Sequence, residues 1–339
     1  MRKFFGFVFV AIACAGCAAT HSARSVGSTD SQARSAELPY EEKIIYAASL
    51  GSGEKFVILA YNGVNKDFRF GCVGVTLAWQ TIRDIAPGIN AMPFPLAGLW
   101  RLADGNVLSA VIADDRVYPI IIRPDMSISM AGVEGASGIT VCASPNGRFW
   151  GYWADASDHF VRFDVSSGVV ARTVLNAKLS YRVFGAAINN SGDVALTASD
   201  LVSSPVEKLF ICTSATEGFT ELHRGATFSK PVAALTGNSF YVLTSWLESG
   251  DHSQSFIRFS KTEFTSAKPS QLVVHLDDVL YSKNNNVLVG CQAGYGMLDM
   301  SSGHIGSSPV NGVVFPLNGD PDRIGCFRRG SNTISVLQK

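Results

Sequence analysis

Apolar residues in this chain come in short runs, and the gaps between them are filled by Gly, Asn, Asp, Ser and Pro. Runs fall at 44–48, 56–61, 68–73, 75–79, 108–112, 118–122, 209–212, 240–243, 256–259, 272–275, 287–291 and 334–337. Each is too short for a stable helix and rich in Val, Ile, Phe and Tyr, so each predicts a strand bounded by turns. One stretch shows the pattern at full length. Residues 138–143 and 148–153 flank Ser144-Pro145-Asn146-Gly147, whose Asn-Gly pair suits a tight hairpin because Gly takes positive φ without steric cost. A polar break at 155–158 follows, then residues 160–165, the turn Ser166-Ser167-Gly168 and residues 169–174. Four strands and three turns therefore fit in one unit.

The order recurs. First-turn signals stand at Gly53, Gly105, Gly147, Gly192, Gly237 and the Asn284-Asn285-Asn286 run, separated by 42 to 52 residues. The second half of the unit recurs at Asp299-Met300-Ser301-Ser302-Gly303, which parallels Asp164-Val165-Ser166-Ser167-Gly168. A shortened copy runs from Val313 through Asn318-Gly319 to Val336. A period in this range indicates stacked repeats, none of which can bury its apolar faces alone.

The residues 143–148, Ala-Ser-Pro-Asn-Gly-Arg, followed by Phe163-Asp164-Val165-Ser166-Ser167-Gly168, resemble a blade of WD40-like, TolB-like and YVTN-type propellers. The Trp-Asp pair that closes true WD40 blades is missing. The resemblance implies an all-β fold, a β-propeller of four-stranded blades around a central channel, with seven blades expected and six or eight as alternatives. The strand near Ile334 is expected to pair with the strand near Ile44 and close the ring, leaving no open edge. A β-sandwich is the competing architecture, but the length of residues 39–339 exceeds what one sandwich usually holds.

The amino terminus predicts an address. Met1-Arg2-Lys3 is basic and residues 4–15 are apolar without charge, too short to span a bilayer, which takes about twenty residues as a helix. This is the pattern of a signal peptide over residues 1–16. Cys14-Ala15-Gly16-Cys17 resembles a bacterial lipobox, which implies lipidation at Cys17, with Cys14 as a second register. Residue 18 is Ala rather than the Asp that resembles an inner-membrane retention signal, which implies an outer-membrane lipoprotein facing the periplasm. Residues 17–38, rich in Ser, Ala and Thr, read as a lipidated tether without order of its own, and residues 39–339 as one propeller domain.

Composition narrows the chemistry. With 28 basic and 28 acidic residues there is no basic excess, so nucleic acid is not an expected partner. Cys72, Cys142, Cys212, Cys291 and Cys326 sit in apolar runs and read as small buried hydrophobes, with Cys291–Cys326 the one pairing worth testing. No Gly-x-Ser-x-Gly elbow occurs. Ser52-Gly53-Glu54-Lys55 has Ser-x-x-Lys spacing but falls in a predicted hairpin, and Asn318 to Asp322 imitates a calcium loop while placing Arg323 and Arg329 where Gly and Glu are needed. Asp114-Asp115 and Asp277-Asp278 are neighbours that would point to opposite faces of a strand, and they read as turn formers. His21 falls in the tether, and His159, His223, His252, His275 and His304 are scattered without ligand spacing. Trp79, Trp100, Trp150, Trp153 and Trp246 read as blade packing. Neither catalytic residues nor a cofactor or metal is expected. The partners implied are the membrane, through the lipid, and a periplasmic protein. The expected role is a protein-binding scaffold, as in the lipid-anchored and Tol-system propellers it resembles in architecture. The alternative is a propeller enzyme of the lactonase or glycoside-hydrolase kind with its site at the channel mouth.

Overall fold

The computed structural model describes residues 34–338 apart from connecting segments, the longest of them 82–93 and 131–139. The regular elements among the described residues are strands, arranged as seven antiparallel sheets. The first blade takes Glu42–Leu50, Lys55–Asn62, Asp67–Val73 and Ala78–Thr81 in consecutive order. Blades over 94–130, 141–176, 182–225, 227–267 and 276–299 follow, and the seventh occupies 313–338. Each blade touches the next through its innermost strands, and the seventh touches the first, so the sheets close into a ring.

The strands are apolar throughout because both of their faces are covered. In the third blade Phe149–Ala154 is buried at every position. Side chains alternate between faces along a strand, so Phe149 and Trp153 pack with Val183, Leu196 and Phe210 of the fourth blade. Trp150 and Tyr152 pack the other way, with Leu102 and Leu108 of the second. Phe56 and Ile58 likewise meet Phe327 and Ile334 of the seventh blade, while Val57 and Leu59 meet Val107 and Ile120 of the second. Phe240 and Val242 face the fourth blade, Tyr241 and Leu243 the sixth. Each such side chain fully buried contributes about 1.5–3 kcal/mol.

The ring closes through a strand that composition hid. Arg34–Glu37 pairs antiparallel with Thr333–Gln338, Arg34 opposite Val336 and Glu37 opposite Thr333, as the outermost strand of the last blade. The Ser- and Ala-rich segment is thus a strand at its end, and the sheet ring begins at Arg34 rather than Pro39. An edge strand held by backbone hydrogen bonds needs no apolar pattern, so composition alone does not announce it. The Ile44 strand pairs with Lys55–Asn62 instead; it packs Ile44 against Phe327 and Ile334 of the seventh blade and meets that blade's backbone in two bonds, Ile44 N–H to Ser331 O at 2.8 Å and Gly330 N–H to Ile44 O at 3.0 Å. Leu38 N–H also donates to Asn332 O at 2.7 Å.

A buried carboxylate marks this seam. Glu42 is 2% exposed. Its Oε1 accepts from Asn62 Nδ2 at 2.6 Å and lies 3.5 Å from Arg69 Nη1. Asn62 Oδ1 in turn accepts the N–H groups of Val64 and Asn65, shaping the turn beyond.

Other expectations shift. Asp277 and Asp278 lie inside the innermost strand of the sixth blade, Leu276–Lys283, not in a turn; bulges there shift its register with Asn286–Cys291. Leu272 and Val273 fall outside any strand. Phe94–Pro95, outside the apolar runs of the sequence, forms a short strand paired with Val111 and Ile112. The sixth blade shows three strands among the described residues and a single further bridge, Leu298 to Ile305.

Candidate interaction face at the turn end of the ring

In every blade the innermost strand leads into the first hairpin turn, so these turns gather at one end of the channel. Gly51, Gly105, Gly147, Gly192 and Gly237 all take positive φ there. In the first turn it is Gly51 that takes the positive φ; Gly53 lies outside the described residues.

The turns are bonded to one another around the ring. Gly51 N–H donates to Gly105 O at 2.7 Å, and Ala103 N–H to Gly147 O at 2.9 Å. Asn146 N–H donates to Asn190 Oδ1 at 2.9 Å, and Asn146 Nδ2 to Asn190 O at 3.3 Å. Asn190 Nδ2 reaches Leu235 O at 3.1 Å and Gly237 O at 3.2 Å, and Asn189 Nδ2 reaches Asn238 O at 2.8 Å. Five successive turns thus form one hydrogen-bonded rim. Its closeness requires glycine at one place above all: a Cβ on Gly147 would stand 2.5 Å from Ala103 N and 2.6 Å from Arg101 O.

Within the third turn, Asn146 Oδ1 accepts from Ser144 Oγ at 2.7 Å and from Arg148 N–H at 3.0 Å. Arg148 forms a two-point pair with Asp164 at 3.2 and 2.9 Å, which raises its pKa. Arg162 donates to Gly192 O and lies over the Phe149 ring. Arg258 pairs with Glu263 at 3.2 Å. Arg101 donates Nη2 to Gly51 O at 3.4 Å; burial lowers its pKa and Asp104 partly restores it. The face is therefore polar, pre-ordered and charge-balanced. It offers amides, carbonyls and guanidinium groups to a partner rather than a nucleophile beside a base.

The remaining candidates disperse. Cys17, the lipidation site, lies outside the described residues, as do Ser52, Asp114-Asp115, the Ser166-Ser167-Gly168 turn, His21 and His275. Cys326 is a free thiol, so it forms no bridge with Cys291, and Cys142 is fully enclosed with its pKa raised by burial. Cys72 and Cys212 are buried in blade contacts as expected of small hydrophobes. Asp320 and Asp322 belong to the strand Asp320–Phe327, not to a loop. Trp153 is buried between blades and Trp150 stacks on Phe163 at 4.1 Å, the packing role read for them. His223 is half-buried beside Phe228 and Phe264, and burial lowers its pKa. Among the described residues no group of three His, Cys, Asp or Glu comes together as a metal site. Gly192 and Gly237 read as turn formers in the sequence, but nothing in the local pattern shows that Asn190 ties its turn to the turns on either side. Its only signal is an amide where a hairpin alone needs none.

No protein-family model matches the chain, and no curated protein does. Solved structures do. Hydrazine synthase of Kuenenia stuttgartiensis is 11% identical over 90% of this chain and 97% of its own, with a TM-score of 0.57. The Dos1 propeller is 10% identical over 90% and 94%, TM-score 0.54. The Cps50 (Swd1) β-propeller domain of Myceliophteria thermophila is 10% identical over 90% and 100%, TM-score 0.52. At such identities the likeness speaks to fold alone. The chain folds as a β-propeller, an architecture that here includes both an enzyme and domains named only as propellers.

Proposed function

We propose that the protein is an outer-membrane lipoprotein, anchored through Cys17, whose propeller faces the periplasm and binds a partner protein at the turn end of the ring. The observation that carries the binding role is the bonded rim of turns from Gly51 to Asn238. A surface whose backbone and amide groups are already fixed loses little entropy on binding, which favours recognition. The signal-peptide pattern of residues 1–16 and the Cys14-Ala15-Gly16-Cys17 sequence support the anchor.

Mass spectrometry of the mature protein tests the anchor: the expected amino-terminal peptide begins at a diacylated Cys17, and an unmodified terminus would overturn it. Photo-crosslinkers placed at Asn146 or Thr236 in the cell envelope test the face. Crosslinks to one defined protein from these positions, absent from position 264 on the outer strand Phe264–Ala267, are expected. Equal labelling from both places would refute a partner face at the turns.

A further inference from the structure

Two further cations stand on innermost strands, away from the turns. Arg182 is the first residue of Arg182–Ile188, at the far end of its strand, and Lys230 lies midway along the innermost strand of the fifth blade, between the short pieces Thr227–Phe228 and Val232–Ala233. Both side chains are exposed to solvent. Among the described residues neither has an ion-pair partner, whereas the cations of the turn end are paired, Arg148 with Asp164 and Arg258 with Glu263. Glu207, on the third strand of the fourth blade, accepts the N–H of Phe228. Farther out on that blade, Arg224 of Thr220–Gly225 and Lys208 of Glu207–Cys212 are both engaged by Glu221.

The position of Lys230 is built. Pro231 has no N–H to continue the ladder, and Ser229 replaces it: Ser229 N–H donates to Leu243 O at 2.8 Å, and Ser229 Oγ accepts Leu243 N–H at 3.0 Å. The strand is therefore interrupted at Lys230 without loss of backbone bonding, a device that re-aims a side chain. Gly185 of the neighbouring innermost strand lets this interruption sit against it, since a Cβ there would come 3.0 Å from Lys230 Cα and 2.9 Å from Pro231 Cδ. The register of the fourth blade shifts at the same place, between Val183 and Gly185. Solvent reaches Lys230, yet enclosing protein lowers its pKa, as for a charge in a wet crevice.

We infer that Lys230 and Arg182 form a second recognition site, on the channel wall below the turn rim, which takes the carboxylates of an acidic segment of a partner protein. Two cations on adjacent innermost strands, without an ion-pair partner among the described residues, attract such groups, and Arg can hold one at two points. The site deepens the partner-binding reading by giving a partner's chemistry, and it does not depend on the lipid anchor.

Fluorescence anisotropy of a labelled hexaglutamate peptide on the full chain tests it. Saturable binding at low ionic strength is expected, and Lys230→Gln and Arg182→Gln are each expected to weaken it about tenfold, the effect of one charged hydrogen bond. Arg224→Gln, which removes a cation already engaged by Glu221, changes it less than about twofold. No saturable binding, or equal weakening by Arg224→Gln, overturns the site, the latter because only diffuse charge would then be acting. Inorganic phosphate that displaces the peptide at low millimolar concentration, with the peptide itself bound weakly, overturns the carboxylate assignment. Circular dichroism confirms that each variant folds, and if Lys230→Gln does not, Arg182→Gln decides alone. Crosslinking at Asn146 is scored separately, so failure here leaves the turn face standing.

Discussion

Replacing Gly147 by Ala separates the two duties of the turn glycines. At φ 68° an L side chain costs about 1–2 kcal/mol. The added methyl would also meet the backbone of the second blade, at 2.5 Å from both Leu102 C and Ala103 N. Backbone cannot swing aside as a side chain tip can, so the blades must part by enough to lose the bond from Ala103 N–H to Gly147 O. That bond contributes about 1 kcal/mol net, and the forced displacement adds about 1–3. The sum is about 3–6 kcal/mol. Gly237 supplies the control: its φ is 80°, but a Cβ there would meet nothing within 4 Å. Gly237→Ala therefore carries only the conformational term, about 1–2 kcal/mol. At about 2 °C per kcal/mol for a domain this large, Gly147→Ala lowers Tm by roughly 6–12 °C and Gly237→Ala by roughly 2–4 °C. Calorimetry of both variants with urea unfolding as a second probe measures the difference. Equal losses would refute the role of the third turn as a stitch between blades.

Further outcomes follow from the seam and the core. A chain starting at Leu38 is expected to be roughly 2–4 kcal/mol less stable than one starting at Gln32, because the paired strand Arg34–Glu37 is gone, and matching urea midpoints would show the strand idle. Glu42→Ala strips the acceptor shared by Asn62 and Arg69 from a buried place and is expected to cost about 3–5 kcal/mol in urea unfolding; a loss under about 1 would contradict the network. His223 prefers its neutral form in the fold, so as pH falls below the ordinary 6.5 the unfolded chain takes up the proton first. Stability is then lost from there down toward the lower folded-state pKa, and His223→Gln should flatten that part of a urea-midpoint profile taken from pH 7.5 to 5. Asp299, held by the hydroxyls of Ser301 and Ser302, is expected to titrate at about 2 in a carboxyl NMR titration, and a midpoint at its usual 3.8 would mean the turn is open.

The fold is legible where local chemistry and tertiary position agree. Asn146-Gly147, Asp104-Gly105 and Ser191-Gly192 suit the positive φ that their glycines take, so they mark the blades without reference to packing. Strands such as 149–154 were legible because a sheet covered on both faces must be apolar at consecutive positions. Legibility failed where a segment borrows its structure from elsewhere. Residues 34–37 form a strand only because residues 333–336 offer an edge, and Asp277-Asp278 belong to a strand whose bulges no local rule announces. The turn rim and the Lys230–Arg182 pair on the channel wall are relations between blades. Asn190 reaches residues 45 and 47 positions away, and the Gly185 approach to Lys230 spans a similar distance along the chain. A turn signal reports its own backbone but not the neighbour it will hold.

The pairing of residues 34–37 with 333–336 also sets a timetable for biogenesis. Among the described residues the earliest strand fills the outer edge of the last blade, and its mate follows about 300 residues later in the chain. At 5–20 residues per second, that edge waits roughly 15–60 s during synthesis. A chain cut short of residue 333 leaves residues 34–37 without a mate, so a loss near residue 333 injures the other end of the described chain as well.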